Sequence, residues 1–135
     1  MAPPWDVLIS LHDKWQFSKV LEAAGLGRPR AWLLQSRADL EGLPREEELA
    51  VKPCLGRASA NVFKLKPGEE LPGVDKCSPG RGGRVWIAQE WVKGDRYCTY
   101  SIVKDGSVII SGIYPVMDTI DGSRLAHILA AAELR

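Results

Sequence analysis

RVWIAQEWVKGDRYCTYSIVKDGSVIISGIY, residues 84–114, carries the densest strand signal in the chain. Val85 to Val92 is rich in β-branched and aromatic residues, which pack well on a pleated surface, and predicts a strand. Gly94 interrupts it. Tyr97 to Val103 and Ser107 to Tyr114 predict two more strands. Asp105-Gly106 between them signals a hairpin, because the tightest two-residue turn needs a left-handed backbone at both positions. The hairpin itself carries no obvious chemistry and reads as scaffold.

Upstream, Leu49-Ala50-Val51-Lys52 predicts a short strand closed by Pro53. Val62 to Leu65 predicts a strand returning antiparallel to it, broken by Lys66-Pro67-Gly68. Arg30 to Leu34 is another short apolar strand. Ser36 can cap a helix near 37–42, which Pro44 ends. Asp13 and Gln16 have the spacing of a cap and its reciprocal partner, and Phe17, Val20, Leu21 and Ala24 then recur as one apolar helical face. Gly25, Gly27 and Pro29 stop that helix near residue 24. Residues 75–84, DKCSPGRGGR, have the composition of a flexible loop, and Ser123 to Leu134 is Ala/Leu-rich and predicts a helix. A helix, then strands with small helices, then a meander predicts an α+β fold rather than a doubly wound sheet.

The length of 135 residues suits one domain or two small lobes. Eighteen Lys and Arg against seventeen Asp and Glu leave a net charge of +1, too little for a global field toward nucleic acid or anionic lipid. Lys76, Arg81 and Arg84 form a small basic cluster with no nucleic-acid motif beside it, so nucleic acid is not an expected partner. Cys54, Cys77 and Cys98 fit neither a disulfide framework nor zinc spacing, and reduced thiols predict a cytoplasmic protein. No run approaches the roughly 18 apolar residues that span a bilayer, and the start, MAPPWDVLIS, lacks the features of a secretory signal.

Three places carry candidate chemistry. Lys14 stands at a helix start, where it opposes the helix dipole unless an anion approaches; it is a phosphate contact or a solvated surface lysine. Lys52 ends an apolar strand before Gly56-Arg57-Ala58-Ser59, whose amides and Ser59 hydroxyl suit phosphate oxygens; the spacing is not that of a P-loop, and an ordinary strand end and turn is the plainer reading. Gln89-Glu90-Trp91-Val92 ends a strand near a glycine, and a strand edge offers the paired donor and acceptor that adenine presents; a packed core strand is the plainer reading.

Taken in order, these features resemble the ATP-grasp superfamily, and within it proteins akin to the carbamoyl-phosphate synthase large chain. The likeness runs from Asp13 to about Tyr114. It implies that Lys14 and Lys52 reach nucleotide phosphates and that a loop matching GRASANV, residues 56–62, closes over them through Ser59. It implies that Gln89, Glu90 and Val92 form the adenine hinge, with the Glu90 carbonyl and Val92 amide reading the purine edge. The family's ribose-binding glutamate usually follows the hinge glycine by two residues; Arg96 stands there, beside Asp95, the candidate in its place. Ala60-Asn61 follows the loop serine where family members often have a glycine.

The resemblance divides the chain into an N-terminal segment (1–12), an ATP-grasp N-terminal subdomain (13–93), the beginning of the C-terminal subdomain (94–118) and a tail (119–135). It implies ATP as ligand, with magnesium in full-length relatives, which join a carboxylate to an amine or thiol through an acyl phosphate. The family's magnesium site uses an acidic residue and a Glu-x-Asn pair; after Tyr114 only Asp118, Asp121 and Glu133 are acidic, and no Glu-x-Asn occurs. The expectation is a partial domain that binds nucleotide and is catalytically incomplete alone. The alternative is a non-catalytic module that self-associates as a homo-oligomer, or binds a partner, through exposed strand edges.

Overall fold

The computed structural model describes residues 3–56, 61–73 and 77–116. It divides into two units, Met1–Val92 and Lys93–Arg135. The first contains helices α1 (Trp5–His12) and α2 (Lys14–Ala23), strand β1 (Ala31–Leu34), helix α3 (Arg37–Glu41), strands β2 (Leu49–Pro53) and β3 (Phe63–Leu65), a 3₁₀ turn (Arg81–Gly83) and strand β4 (Trp86–Glu90). The strands form one antiparallel sheet in the order β1-β4-β2-β3. The fold class is α+β, as predicted.

Register explains the two faces of this sheet. Val51 lies opposite Ala88, and Pro53 opposite Trp86, so Leu49, Val51, Trp86 and Ala88 share one face. Leu34, Leu65, Leu40 and Leu43 complete a core there, and the Trp86 and Phe63 rings stack at 6.1 Å. The intervening residues Ala50, Lys52, Ile87 and Gln89 take the other face. Lys52 is therefore directed away from the main core by strand alternation alone.

The helix starts are set by short side chains. Asp13 Oδ1 accepts from the Trp15 and Gln16 amides at 2.9 and 3.0 Å, which satisfies two of the four unpaired donors of α2. The reciprocal bond that the Asp13–Gln16 spacing predicts is not made. A full capping box forms instead on α3, where Ser36 caps and Asp39 returns the bond to the Ser36 amide at 2.8 Å.

Two features of the helices differ from the sequence reading. α1 lies in the N-terminal segment, for which the sequence reading predicted no element, and none of its residues is buried. The apolar stripe of α2 is not its packed face: Phe17 and Val20 are 41% and 44% exposed, while Ser18 is buried. Lys14, Ser18 and Leu21 form the covered face, at i, i+4 and i+7. The cause is at the first residue of the helix, where the Lys14 amide donates to the Cys54 carbonyl at 3.0 Å and fixes the rotation of α2 about its axis.

The strand predicted over 85–92 is shorter, ending at Glu90, although the Trp91 amide still donates to the Glu48 carbonyl at 2.9 Å. The predicted flexible loop, where described, is anchored: Cys77 is buried in the core and its amide donates to Gly73 at 3.0 Å. In the second unit, β5 (Tyr97–Lys104) and β6 (Ser107–Pro115) pair antiparallel. Asp105 and Gly106 have φ of +50° and +77°, the left-handed pair that the turn demands. The helix predicted over 123–134 lies outside the described residues, as do Ser59, Asp118 and Asp121.

Gly80 gives a direct test of the loop's anchoring. Its φ is +80°, and a Cβ there would stand 2.4 Å from the Gln35 carbonyl oxygen. Gly80→Ala is expected to lower unfolding stability by roughly 2–4 kcal/mol, combining left-handed strain with forced backbone displacement. Gly82→Ala, with φ of +62° but open space around it, should lose only about 1 kcal/mol. Urea denaturation of both variants measures the difference, and equal losses would show that the close approach to Gln35 is not felt.

Candidate functional site

The start of α2 and the exit of β2 meet at Lys14. Besides its amide bond, the Lys14 ammonium donates to the Cys54 carbonyl at 3.1 Å and the Gly56 carbonyl at 3.3 Å. Lys52 precedes Cys54 by two residues, is half-buried, and lies opposite Ile87 on the sheet face away from the core. Burial, and secondarily the charge of Lys14, push the Lys52 ammonium below its ordinary range. The two lysines are thus within each other's field. Neither forms an ion pair with a carboxylate among the described residues.

Two neighbouring cations that make no ion pair, one of them at a helix start whose amides are capped by Asp13, are an arrangement that favours a bound anion. Cys54 adds no nucleophile to this place. Burial first, and then the nearby Asp13 charge, push its thiol up to about 11, so it stays protonated.

The expected strand edge is instead the end of a central strand, because β4 is paired with β1 on one side and β2 on the other. Gln89 is on the Lys52 face, paired with Ala31 on one side and Ala50 on the other. Glu90 is three residues beyond Ile87, roughly 10 Å at the rise of a strand. Its amide donates to the Arg30 carbonyl at 2.9 Å. Its carboxylate accepts from the Arg30 amide and Nε, both at 3.3 Å, and these bonds hold it below the usual carboxylate range. The Glu90 side chain is thereby engaged with Arg30, and its backbone carbonyl is what the hinge reading uses. Val92 is 67% exposed. Asp95 is exposed and belongs to the second unit.

Of the seven residues singled out from sequence, Lys14, Lys52, Gln89, Glu90 and Val92 belong to one unit, Asp95 belongs to the other, and Ser59 falls outside the description. The sequence reading missed the Cys54 and Gly56 carbonyls, which no side-chain pattern marks, and Arg30, whose partners lie 17 and 60 residues away. A cavity of about 590 Å³ opens beside β3, lined by residues that include Phe63, Leu71 and Pro72, and none of the six described candidates borders it. The described residues hold no group of three His, Cys, Asp or Glu placed to bind a metal.

A model of the ATP-grasp domain matches residues 11–114. The chain belongs to the ATP-grasp family. This ATP-grasp chain also superposes on D-alanine–D-alanine ligase from Helicobacter pylori with a TM-score of 0.58 over 90% of its length and 40% of the ligase chain. At 13% identity that likeness concerns the fold alone. A human protein, zinc finger and BTB domain-containing protein 42, is 32% identical over 79 residues, covering 51% of this chain and 19% of its own. The chain spans about a fifth of that relative and two-fifths of the ligase.

The Lys52 environment predicts a pH-dependent stability. A lysine whose folded pKa lies below its ordinary 10.5 binds fewer protons folded than unfolded in the window between the two values. Stability therefore rises as pH climbs through that window, and at pH 7 the charged side chain is a cost. Lys52→Met is expected to raise the melting temperature at pH 7, with the gain narrowing as pH approaches 10.5. Differential scanning fluorimetry from pH 7 to 10.5 checks this; identical melting curves at pH 7 would mean that the ammonium is fully solvated.

Proposed function

We propose that this chain is the nucleotide-holding part of an ATP-grasp protein, with Lys14 and Lys52 neutralising the phosphates of ATP. The observation that carries the proposal is the approach of two ammonium groups, without a carboxylate partner, at the junction of a helix start and a strand exit. In this reading the Glu90 carbonyl and Val92 amide hold the adenine edge, with Gln89 beside them on the Lys52 face. Ser59, in the segment joining β2 to β3, adds a phosphate contact, and Asp95 is the ribose candidate. The chain's contribution is positioning and charge neutralisation, which is most of what a protein supplies to phosphoryl chemistry.

The reaction that this binding serves is ligation of a carboxylate to an amine or thiol, carried out in a longer protein of this family. No residue of this chain is assigned to the acceptor or to chemistry, and the chain alone is proposed to bind ATP without turning it over.

The test is ligand-induced stabilisation. ATP at about ten times its dissociation constant should add roughly 1.4 kcal/mol, a shift of several degrees for a domain of this size. Lys52→Met should abolish the shift and Lys14→Ala should reduce it. Because Lys52→Met is also expected to stabilise the free protein, stability and binding move in opposite directions, which a general folding defect cannot mimic. A wild-type melting temperature unmoved by millimolar ATP would reject the reading.

A second reading rests on the hairpin. Tyr100, Ile102 and Ile110 share one face of β5–β6 and are 50–68% exposed, and a two-stranded ribbon is marginal alone. This reading makes the chain a self-associating module. It expects a concentration-dependent dimer in sedimentation velocity that Ile102→Lys disperses. A monomer at high protein concentration removes it.

A further inference from the structure

Arg30 immediately precedes β1 and contacts the end of β4 through both backbone and side chain. Its carbonyl accepts from the Glu90 amide at 2.9 Å, and its amide and Nε donate to Glu90 Oε2 at 3.3 Å each. Its two terminal nitrogens bind the two oxygens of Glu47 at 3.0 and 2.5 Å, a bidentate fork. The residue after Glu47 supplies the carbonyl that accepts from the Trp91 amide at 2.9 Å. One guanidinium therefore joins the two backbone segments, before β1 and before β2, that accept from consecutive amides of the strand end.

Stability does not account for this arrangement. The Arg30 side chain is 59% exposed and that of Glu90 41% exposed, and ion pairs at such positions contribute little to folding. What the fork supplies is orientation, because a planar bidentate contact restricts geometry more than a point charge does. With the Glu90 and Trp91 amides each committed to a partner, the backbone of this short segment has its rotation fixed.

We propose that Arg30 is a positioning residue for adenine recognition, acting by fixing the backbone of the Glu90–Val92 segment. The assignment rests on the nucleotide reading given above. Arg30 has no role toward the phosphates, which are held at the other end of the site. Loss of its guanidinium should therefore be felt by the base and not by the phosphate chain.

The experiment is isothermal titration of the full chain with ATP and, separately, with inorganic tripolyphosphate, which has the charge but no base. Arg30→Met is expected to weaken ATP about tenfold, the loss from one misplaced hydrogen bond, and to change tripolyphosphate less than about twofold. Arg30→Lys, which keeps the charge without the fork, should recover only part of the ATP affinity. A circular dichroism melt close to that of the wild type shows that the variants fold. If ATP and tripolyphosphate weaken equally, or neither weakens, the assignment to Arg30 is wrong while the nucleotide reading stands. If the wild-type chain binds neither ligand, both fall.

Discussion

The bonds from Lys14 to the Cys54 carbonyl are the constraint on which the site depends. They join the first residue of a helix to the segment leaving a strand 40 residues later, through both the amide and the ammonium. The amide bond sets the rotation of α2, and the ammonium bond places a cation beside the exit of β2. Strand alternation independently puts Lys52 on the sheet face away from the main core. Two local rules, a helix start and a strand period, thus deliver two positive charges to one place. Neither rule alone would bring them together; the tie at Cys54 does.

Much of this architecture was legible in the residues, and for identifiable reasons. Asp13-Lys14, Ser36 and Asp105-Gly106 act through neighbours within about four positions, so their caps and turn could be read directly. The paired strands β2 and β3 were legible because apolar runs were bounded by proline and glycine. What escaped was set by partners distant in sequence. The apolar stripe of α2 obeys helical period, yet the packed face is Lys14, Ser18 and Leu21, because a carbonyl 40 residues away fixes the helix. The loop at 75–84 has a mobile composition, but Cys77 enters a core assembled from β1, β2, β3 and β4, and its proximity to those elements leaves no local trace. Arg30 escaped for the same reason, since Glu47 and Glu90 are remote from it and each other.

The division into two units limits what either can do. The first has a mixed face and a core face on one sheet, and so both a packed interior and a place for charge. The second, among its described residues, has a hairpin with a regular turn and a ladder interrupted by a bulge at Ile102/Val103, while Tyr100, Ile102 and Ile110 are exposed. A turn and the pairing between its two strands are set by neighbouring residues, but burial of an apolar face needs another element. This difference explains why the local sequence signal of the hairpin is strong while its side chains stay uncovered.

The energetics of the lysine pair bear on what the site is for. A fold selected only for stability would not half-bury an ammonium beside another at a helix N-terminus, when methionine or leucine would fill the same position without the desolvation cost. The carbonyls of Cys54 and Gly56 compensate Lys14, but they leave Lys52 with its ammonium disfavoured by burial and by its neighbour. That residual cost is present in the free protein and is removed when negative charge arrives, so part of the electrostatic work of binding is already done by the fold. The same logic separates the two ends of the site. At the lysines, strain toward the free state favours an anion of almost any shape. At the Glu90–Val92 segment, hydrogen bonds to Arg30 and Glu48 fix direction, which is what the proposed base recognition would require.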